Sequence, residues 1–157
     1  MMSARTGSLF FRLAVACICF VCALSVTAGE MPGPDDKPFA EAHIVLQLSD
    51  SDEAVQSRVL NVASNLLKHY GGPDLVDLEI VAFGPGISLL FADGAQAARL
   101  SSLAANGVRF VACMNTVETI ERTGGKRPEL NPLAIPVQAG VAHIVERSTQ
   151  GFVIVRP

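Results

Sequence analysis

The chain has 157 residues, half of them hydrophobic, and a formal net charge of −3. This length suits one domain, and the high hydrophobic content without a Pro/Gly/Ser tract argues against an intrinsically disordered chain. The slight acidity and the lack of a block of basic residues exclude a typical nucleic-acid-binding surface, so no nucleic-acid partner is expected.

The first 28 residues have the three-part pattern of a secretory signal peptide. Arg5 and Arg12 form a basic start, Leu13–Leu24 is an uncharged apolar run of 12 residues, and small or compact residues follow up to Ala28. The alternative is a membrane anchor, but a spanning helix needs about 20 apolar residues. We therefore predict cleavage after Ala28 and a periplasmic or secreted protein that meets the membrane only through this peptide.

Removal of the signal peptide would leave a single cysteine. The chain has four cysteines, of which Cys17, Cys19 and Cys22 lie in the apolar run and Cys113 lies far beyond it. A mature chain with one cysteine cannot form an internal disulfide, so Cys113 is either a buried inert thiol, a link between chains or a reactive group.

Strands and helices are predicted to alternate after a flexible, proline-containing linker at residues 29–41. The predicted strands are short apolar runs at His43–Ser49, Leu78–Phe83, Val108–Ala112, Ala134–Val137 and Phe152–Arg156. The predicted helices are one capped by Asp50 and ending near Tyr70, then Ala95–Ala105, a short one capped by Asn115 or Thr116 and ending at Glu121, and Ala139–Gln150. Residues 42–157 are thus predicted to be one α/β domain, a three-layer sandwich with a mainly parallel five-stranded sheet.

Ligands of parallel sheets bind at the carboxyl ends of the strands, and Cys113 falls at this edge. It follows a predicted strand and precedes a predicted helix, whose free N–H groups and partial positive charge favour a thiolate. The alternative is a structural thiol, because free cysteine is among the most buried residue types. Position alone does not decide between these two alternatives.

Other candidate groups give weaker signals. Gly84-Pro85-Gly86 could hold an anion with its amides, but it lacks the rest of any nucleotide-binding motif and a tight turn is favoured. His43, His69 and His143 do not have metal-ligand spacing, and the acidic residues are scattered as on a solvated surface. No metal and no cofactor is therefore predicted.

The chain from His43 to Pro157 resembles the DsrE/DsrF-like proteins, specifically the small exported ones. The matching stretches are HIVLQLS, RVLNVASNLLKHYG, EIVAFGPGISLL, LAANGVRFVACMNT and PVQAGVAHIVERSTQGFVIVRP. The resemblance implies a DsrE-type α/β sandwich that forms oligomers, here expected to be homo-oligomers. Better-known members act in sulfur relay, carrying a persulfide on a cysteine and passing it to a partner, and Cys113 in ACMNT matches that cysteine.

Three functional hypotheses follow. The first is an exported sulfur carrier or thiol-redox protein, with a sulfur donor or acceptor protein as its partner. Cys113 would carry the sulfur, Asn115 and Thr116 would stabilise the thiolate, and Gly84 and Gly86 would shape the pocket wall. This hypothesis requires that the Cys113 sulfur is not buried away from every pocket. The second is a non-catalytic module that binds a small anion, a nucleotide-like ligand or an oligomeric partner, with a structural Cys113. The third is a scaffold subunit of a larger exported assembly. Whether the protein is an enzyme is left open.

Overall fold

The computed structural model describes residues 37–157, so the predicted signal peptide and linker residues 29–36 lie outside the described part of the chain. The last residues of the predicted linker are bound to the domain. The Lys37 ammonium donates to the carbonyl oxygens of Pro73, Val76 and Gly107 at 3.0, 3.1 and 3.2 Å. The Glu41 amide donates to the Leu75 carbonyl at 2.8 Å. The folded region therefore already includes Lys37.

Five strands form one sheet within residues 37–157, and every neighbouring pair is parallel. They are β1 (Ala42–Leu48), β2 (Val76–Ala82), β3 (Arg109–Cys113), β4 (Ala134–Val137) and β5 (Val153–Val155). Their order across the sheet is β4-β3-β2-β1-β5, which makes β2 a central strand with all seven residues buried. The predicted α/β class and the parallel five-stranded sheet are confirmed.

The connections between the strands place helices on both faces of the sheet. The helical elements are α1 (Glu53–Tyr70), a 3₁₀ helix (Gly84–Leu90), α2 (Ala97–Ala105), α3 (Met114–Gly124) and α4 (Gly140–Thr149). The chain moves from β1 to β4 in one direction and then returns from β4 to β5 at the opposite edge. Because such crossovers are right-handed, α1, α2 and α3 cover one face and α4 covers the other.

The two faces carry unequal amounts of apolar surface. The face of α1, α2 and α3 has a large cluster centred on Leu46, Ile80 and Phe110 from the strands and Leu60 and Leu100 from the helices. The buried residues of the cluster on the α4 face are Val45, Val81, Val111, Ile144 and Phe152. Neighbouring strand residues alternate between these two clusters, as the pleat requires.

The predicted cap of α1 at Asp50 is wrong, because Asp52 performs this function. The Asp52 carboxylate accepts from the amides of Ala54 at 2.8 Å and Val55 at 3.1 Å. Asp50 instead accepts from the Asp52 amide at 2.9 Å in the preceding turn. A capping side chain must stand directly before the first helical residue, which is Glu53.

The start and end of α3 also differ from the prediction. The helix begins at Met114, so Asn115 and Thr116 lie in its first turn and do not cap it. It continues past Glu121 to Gly124, where Gly125 ends it in the left-handed conformation with φ of 72°. Thr119 donates to the carbonyl four residues before it at 2.8 Å, and Thr123 does the same at 2.9 Å.

Candidate functional site

Cys113 stands where three elements meet at the carboxyl edge of the sheet. It is the last residue of β3, α3 begins at the next residue, and Val137 at the end of β4 is its neighbour across the sheet. The start of α4 reaches the same place, since a Cβ on Gly140 would lie 3.0 Å from the Cys113 Cβ. The Cys113 side chain is a free thiol and is 6% exposed.

Hydrogen-bond donors from two helix starts converge on the Cys113 sulfur. Burial on its own raises the pKa of this thiol. The backbone N–H groups of Gly140, Thr116 and Asn115 and the Thr116 hydroxyl more than offset this effect, so the pKa of Cys113 lies below its usual value. The protonated thiol can donate to the Gln138 carbonyl oxygen at 3.9 Å, but that oxygen also accepts from the Asn115 amide at 3.0 Å. The surroundings therefore favour a thiolate although the group is buried.

Gly140 allows this arrangement because it has no side chain. A Cβ there would also lie 3.4 Å from the Phe83 Cβ and 3.5 Å from Val81 Cγ1. A larger residue would push the first turn of α4 away from the sheet and take its N–H from the sulfur. No function was predicted for Gly140 from the sequence.

The predicted neighbours of the thiol differ in what they contact. The Thr116 hydroxyl interacts with the sulfur and accepts a hydrogen bond from the Gly84 amide at 3.0 Å. Asn115 binds Gln138 twice: its backbone amide donates to the Gln138 carbonyl at 3.0 Å, and its side-chain oxygen accepts from the Gln138 amide group at 2.7 Å, so Asn115 holds the loop before α4. Gly86 lies against the end of β1 instead, where a Cβ would stand 2.6 Å from the Leu48 carbonyl oxygen.

A cavity of about 590 Å³ opens beside this site, between the 3₁₀ helix and α3. Its lining consists of Gly84, Pro85, Ile87, Ser88, Phe91, Asn115, Thr116, Thr119 and Ile120. None of these side chains is charged, so the cavity suits a neutral and largely apolar group. Cys113 does not line it, but Thr116 does. The sulfur is thus buried and does not open into this cavity, although the neighbouring residues of α3 line it.

A buried network of charges, which the sequence analysis missed, lies under α4. Glu79 on β2 is fully buried, and its carboxylate lies 2.9 Å from Arg109 Nη2, 2.7 Å from Arg147 Nη2 and 2.8 Å from His143 Nε2. Burial raises the pKa of Glu79. The hydrogen bond with His143 and the two arginines lower it by more than burial raises it, so the pKa lies below its usual value. The carboxylate is therefore charged inside the protein.

Asp77 extends the same network towards the amino ends of the strands. It is also fully buried, and its carboxylate lies 2.7 Å from Arg109 Nη2 and 3.4 Å from His43 Nδ1. The expectation that the acidic residues lie on a solvated surface is therefore wrong for Asp77 and Glu79. The available signal was their spacing of two in VDLEIVA, which puts both carboxylates on one face of a strand.

Two further properties concern the described residues as a whole. Within residues 37–157, no group of three or more His, Cys, Asp or Glu side chains is arranged to hold a metal ion. The helices of this part of the chain are each too short or too polar to cross a bilayer.

Comparison with known proteins shows a relative among the solved structures. Neither the protein-family models nor the curated proteins gave a match. Among solved structures, the chain is similar to a protein of unknown function from Methanobacterium thermoautotrophicum, with 30% sequence identity and a TM-score of 0.66. The similarity covers 74% of this chain and 100% of the archaeal one. The chain therefore belongs to the same protein family as this archaeal protein and shares its α/β fold.

Proposed function

We propose that this protein is an exported member of the DsrE/DsrF-like group that acts as a sulfur carrier or thiol-redox protein through Cys113. The observation that supports this most is the position of the Cys113 sulfur where α3 and α4 begin, against Gly140 and beside the Thr116 hydroxyl. A structural thiol in apolar surroundings has a raised pKa, whereas this pKa is lowered. Such a thiol supplies more nucleophilic thiolate near neutral pH.

The proposed transfer requires no external oxidant or reductant. The Cys113 thiolate attacks the outer sulfur of a donor persulfide, the sulfur–sulfur bond of the donor breaks, and the donor leaves as a thiolate. Cys113 then carries the persulfide with its proton. In the second half, an acceptor thiolate attacks the outer sulfur and the Cys113 thiolate leaves. A low pKa makes Cys113 a good leaving group in that step.

Access to the sulfur would pass through the cavity and Thr116. The thiol is 6% exposed, so a partner cannot reach it directly from solvent in this conformation. Rotation of the Thr116 side chain would break its bond with the Gly84 amide and connect the sulfur to the cavity. A partner that extends a persulfide-bearing side chain would then use the neutral cavity wall as its entry.

The test measures the acidity and sulfur uptake of Cys113 in the full chain. Trypsin releases Phe110–Arg122, in which Cys113 is the single cysteine, so mass spectrometry follows this thiol separately from the other three. We expect the pH midpoint of alkylation to fall below about 8.5, the ordinary cysteine value. Brief treatment with polysulfide should add one sulfur atom to this peptide.

Matched variants make this test specific. Thr116→Val removes the hydroxyl at the sulfur and should raise the alkylation midpoint. Thr119→Val alters the same cavity wall without touching the thiol and should leave the midpoint unchanged. A Cys113 that reacts only after denaturation, or that takes up no sulfur when folded, contradicts the carrier proposal.

The cavity supports a second candidate, a binding module for a small molecule. Its size of about 590 Å³ and uncharged lining favour a neutral, largely apolar ligand over the small anion or nucleotide-like ligand first considered. Titration with a neutral apolar fluorophore should show binding that Thr119→Trp abolishes by filling the cavity. If Cys113→Ser binds normally and the wild-type thiol is unreactive, this second function replaces the first.

Export is part of the leading proposal and has a direct test. Cleavage after Ala28 leaves a chain that starts at Gly29 and has a net charge of −5, because Arg5 and Arg12 leave with the peptide. Intact-mass analysis of the protein from a periplasmic or culture-medium fraction should give the mass of that shorter chain. Recovery of the uncleaved chain in the cytoplasm contradicts export.

A further inference from the structure

The inward face of α4 touches both the thiol and the buried charge network. Gly140, His143 and Arg147 have helical spacings of three and four and therefore lie on one side of the helix. Gly140 contacts Cys113, whereas His143 and Arg147 bind the Glu79 carboxylate. One helix face thus joins two regions that the sequence presents as unrelated.

The geometry places the Glu79 carboxylate close to the start of the helix. Gly140 packs on Val81, which is two residues, or about 6.6 Å, beyond Glu79 along β2. His143 is about 4.5 Å along α4 from Gly140. The helix runs back along the strand, so Glu79 holds α4 within one turn of its contact with Cys113. A shift of α4 along the sheet would break both contacts together.

Directional contacts are needed here because apolar packing under α4 is limited. The apolar cluster on this face is the smaller one, and burial of apolar surface favours no particular position along the sheet. The hydrogen bonds and ion pairs of Glu79 with His143 and Arg147 have preferred distances and angles. Buried ion pairs often add little net stability, and specifying a unique arrangement is their better-attested use.

We propose that Glu79 is a positioning residue for Cys113: by binding His143 and Arg147 it fixes α4 so that the Gly140 N–H remains against the Cys113 sulfur. This inference rests on the proposed function, in which the thiolate of Cys113 is the reacting group. Glu79 itself touches neither the sulfur nor the cavity. Its effect passes through the helix that it holds.

The charged groups around Glu79 provide matched controls. Arg109 faces it from β3, and His143 and Arg147 face it from α4. Asp77 belongs to the same network, but its contacts are with Arg109 and His43, which lie on strands. A change at Asp77 therefore perturbs the buried charges without releasing α4 from the Glu79 carboxylate.

The experiment measures the pH midpoint of Cys113 alkylation, again on the Phe110–Arg122 peptide from the full chain. We expect Glu79→Gln and His143→Leu to raise the midpoint by about one pH unit, the size of a lost hydrogen bond to a charged group. His143→Gln should restore a midpoint near that of the wild type, because its amide can still donate to Glu79. Asp77→Asn should also stay near the wild type, although it destabilises the fold.

The two variants of His143 test the inference even if Glu79→Gln does not fold. A midpoint unchanged in His143→Leu overturns the inference, as does an equal rise in Asp77→Asn. A rise in both histidine variants would also overturn it, because the effect would then not depend on the hydrogen bond to Glu79. A wild-type midpoint at the ordinary cysteine value contradicts the proposed function instead, so the two failures are distinguishable.

Discussion

The two faces of the sheet are built from different kinds of interaction. The face under α1, α2 and α3 is packed with aliphatic and aromatic side chains from every layer. The face under α4 has a small apolar cluster and a fully buried pair of carboxylates with their arginine and histidine partners. Burial of apolar surface stabilises the first face, and this contribution has no preferred direction. On the second face, removing the charged groups from water costs free energy, and their directional contacts define the position of one helix.

This difference matters because the thiol lies at the end of the charged face. Arg109 and Val111 of β3 point to α4, and by alternation Cys113 does too. The face that supplies most of the apolar burial therefore does not hold the sulfur. The comparison predicts that stability and thiol acidity can be changed separately, and the following variants test it from the largest expected effect to the smallest.

Truncation of Phe110 should destabilise the protein most without changing the thiol. Phe110 is 1% exposed in the larger apolar cluster, so Phe110→Ala should lower the free energy of unfolding by about 3 to 5 kcal/mol. Urea denaturation gives the loss, with Phe39→Ala at a 74% exposed position as the control. The alkylation midpoint of folded Cys113 should not move. A large rise in that midpoint would contradict the claim that stability and thiol acidity depend on different faces of the sheet.

Loss of the Glu79 charge should cost about 3 kcal/mol near neutral pH, because two buried arginines lose a partner. The folded-state pKa of Glu79 is lowered, so its contribution is fully present above the unfolded carboxyl value of about 4.3. It is lost as pH falls from there towards the lower folded value. The gap in unfolding free energy between wild type and Glu79→Gln should therefore narrow below about pH 4.3. If the difference in unfolding free energy stayed constant across this pH range, the carboxylate charge would not be the source of the lost stability.

Removal of the α1 cap should have the smallest effect of the three. Asp52→Ala leaves the Ala54 and Val55 amides without their side-chain acceptor and should cost about 1 kcal/mol. Asp50→Ala removes one exposed bond in the preceding turn and serves as the matched control. Thermal denaturation of both variants distinguishes the positions. An equal or larger loss at Asp50 would contradict the assignment of the cap.

The fold could be predicted because its signals are local. Each strand is an apolar run, and α1 shows apolar spacing of three and four before Gly71, which takes the left-handed conformation with φ of 86°. The position of Cys113 followed from the same pattern, since a strand followed by a helix places the residue between them at the sheet edge. The ends of the helices were less predictable, because either Gly124 or Gly125 could end α3, and the structure shows that Gly125 takes the left-handed conformation.

The charge network could not be predicted, because its partners are distant in sequence. Glu79 meets Arg109 across 30 residues and Arg147 across 68, and only the strand order brings them together. Seen alone, each looks like an ordinary solvated charge. The contact of Gly140 with Cys113 has the same origin, because it depends on α4 returning across the opposite face of the sheet.

The two outer strands of the sheet restrict how copies of this protein could associate. β5 has three residues, and Pro136 removes one N–H donor from β4. Short edges and edge prolines are poor templates for a further strand. A sheet that continues from one copy to the next is therefore disfavoured at both ends of the described sheet. Copies that assemble would meet through helical surfaces, where α4 exposes Val141 and Val145 one turn apart.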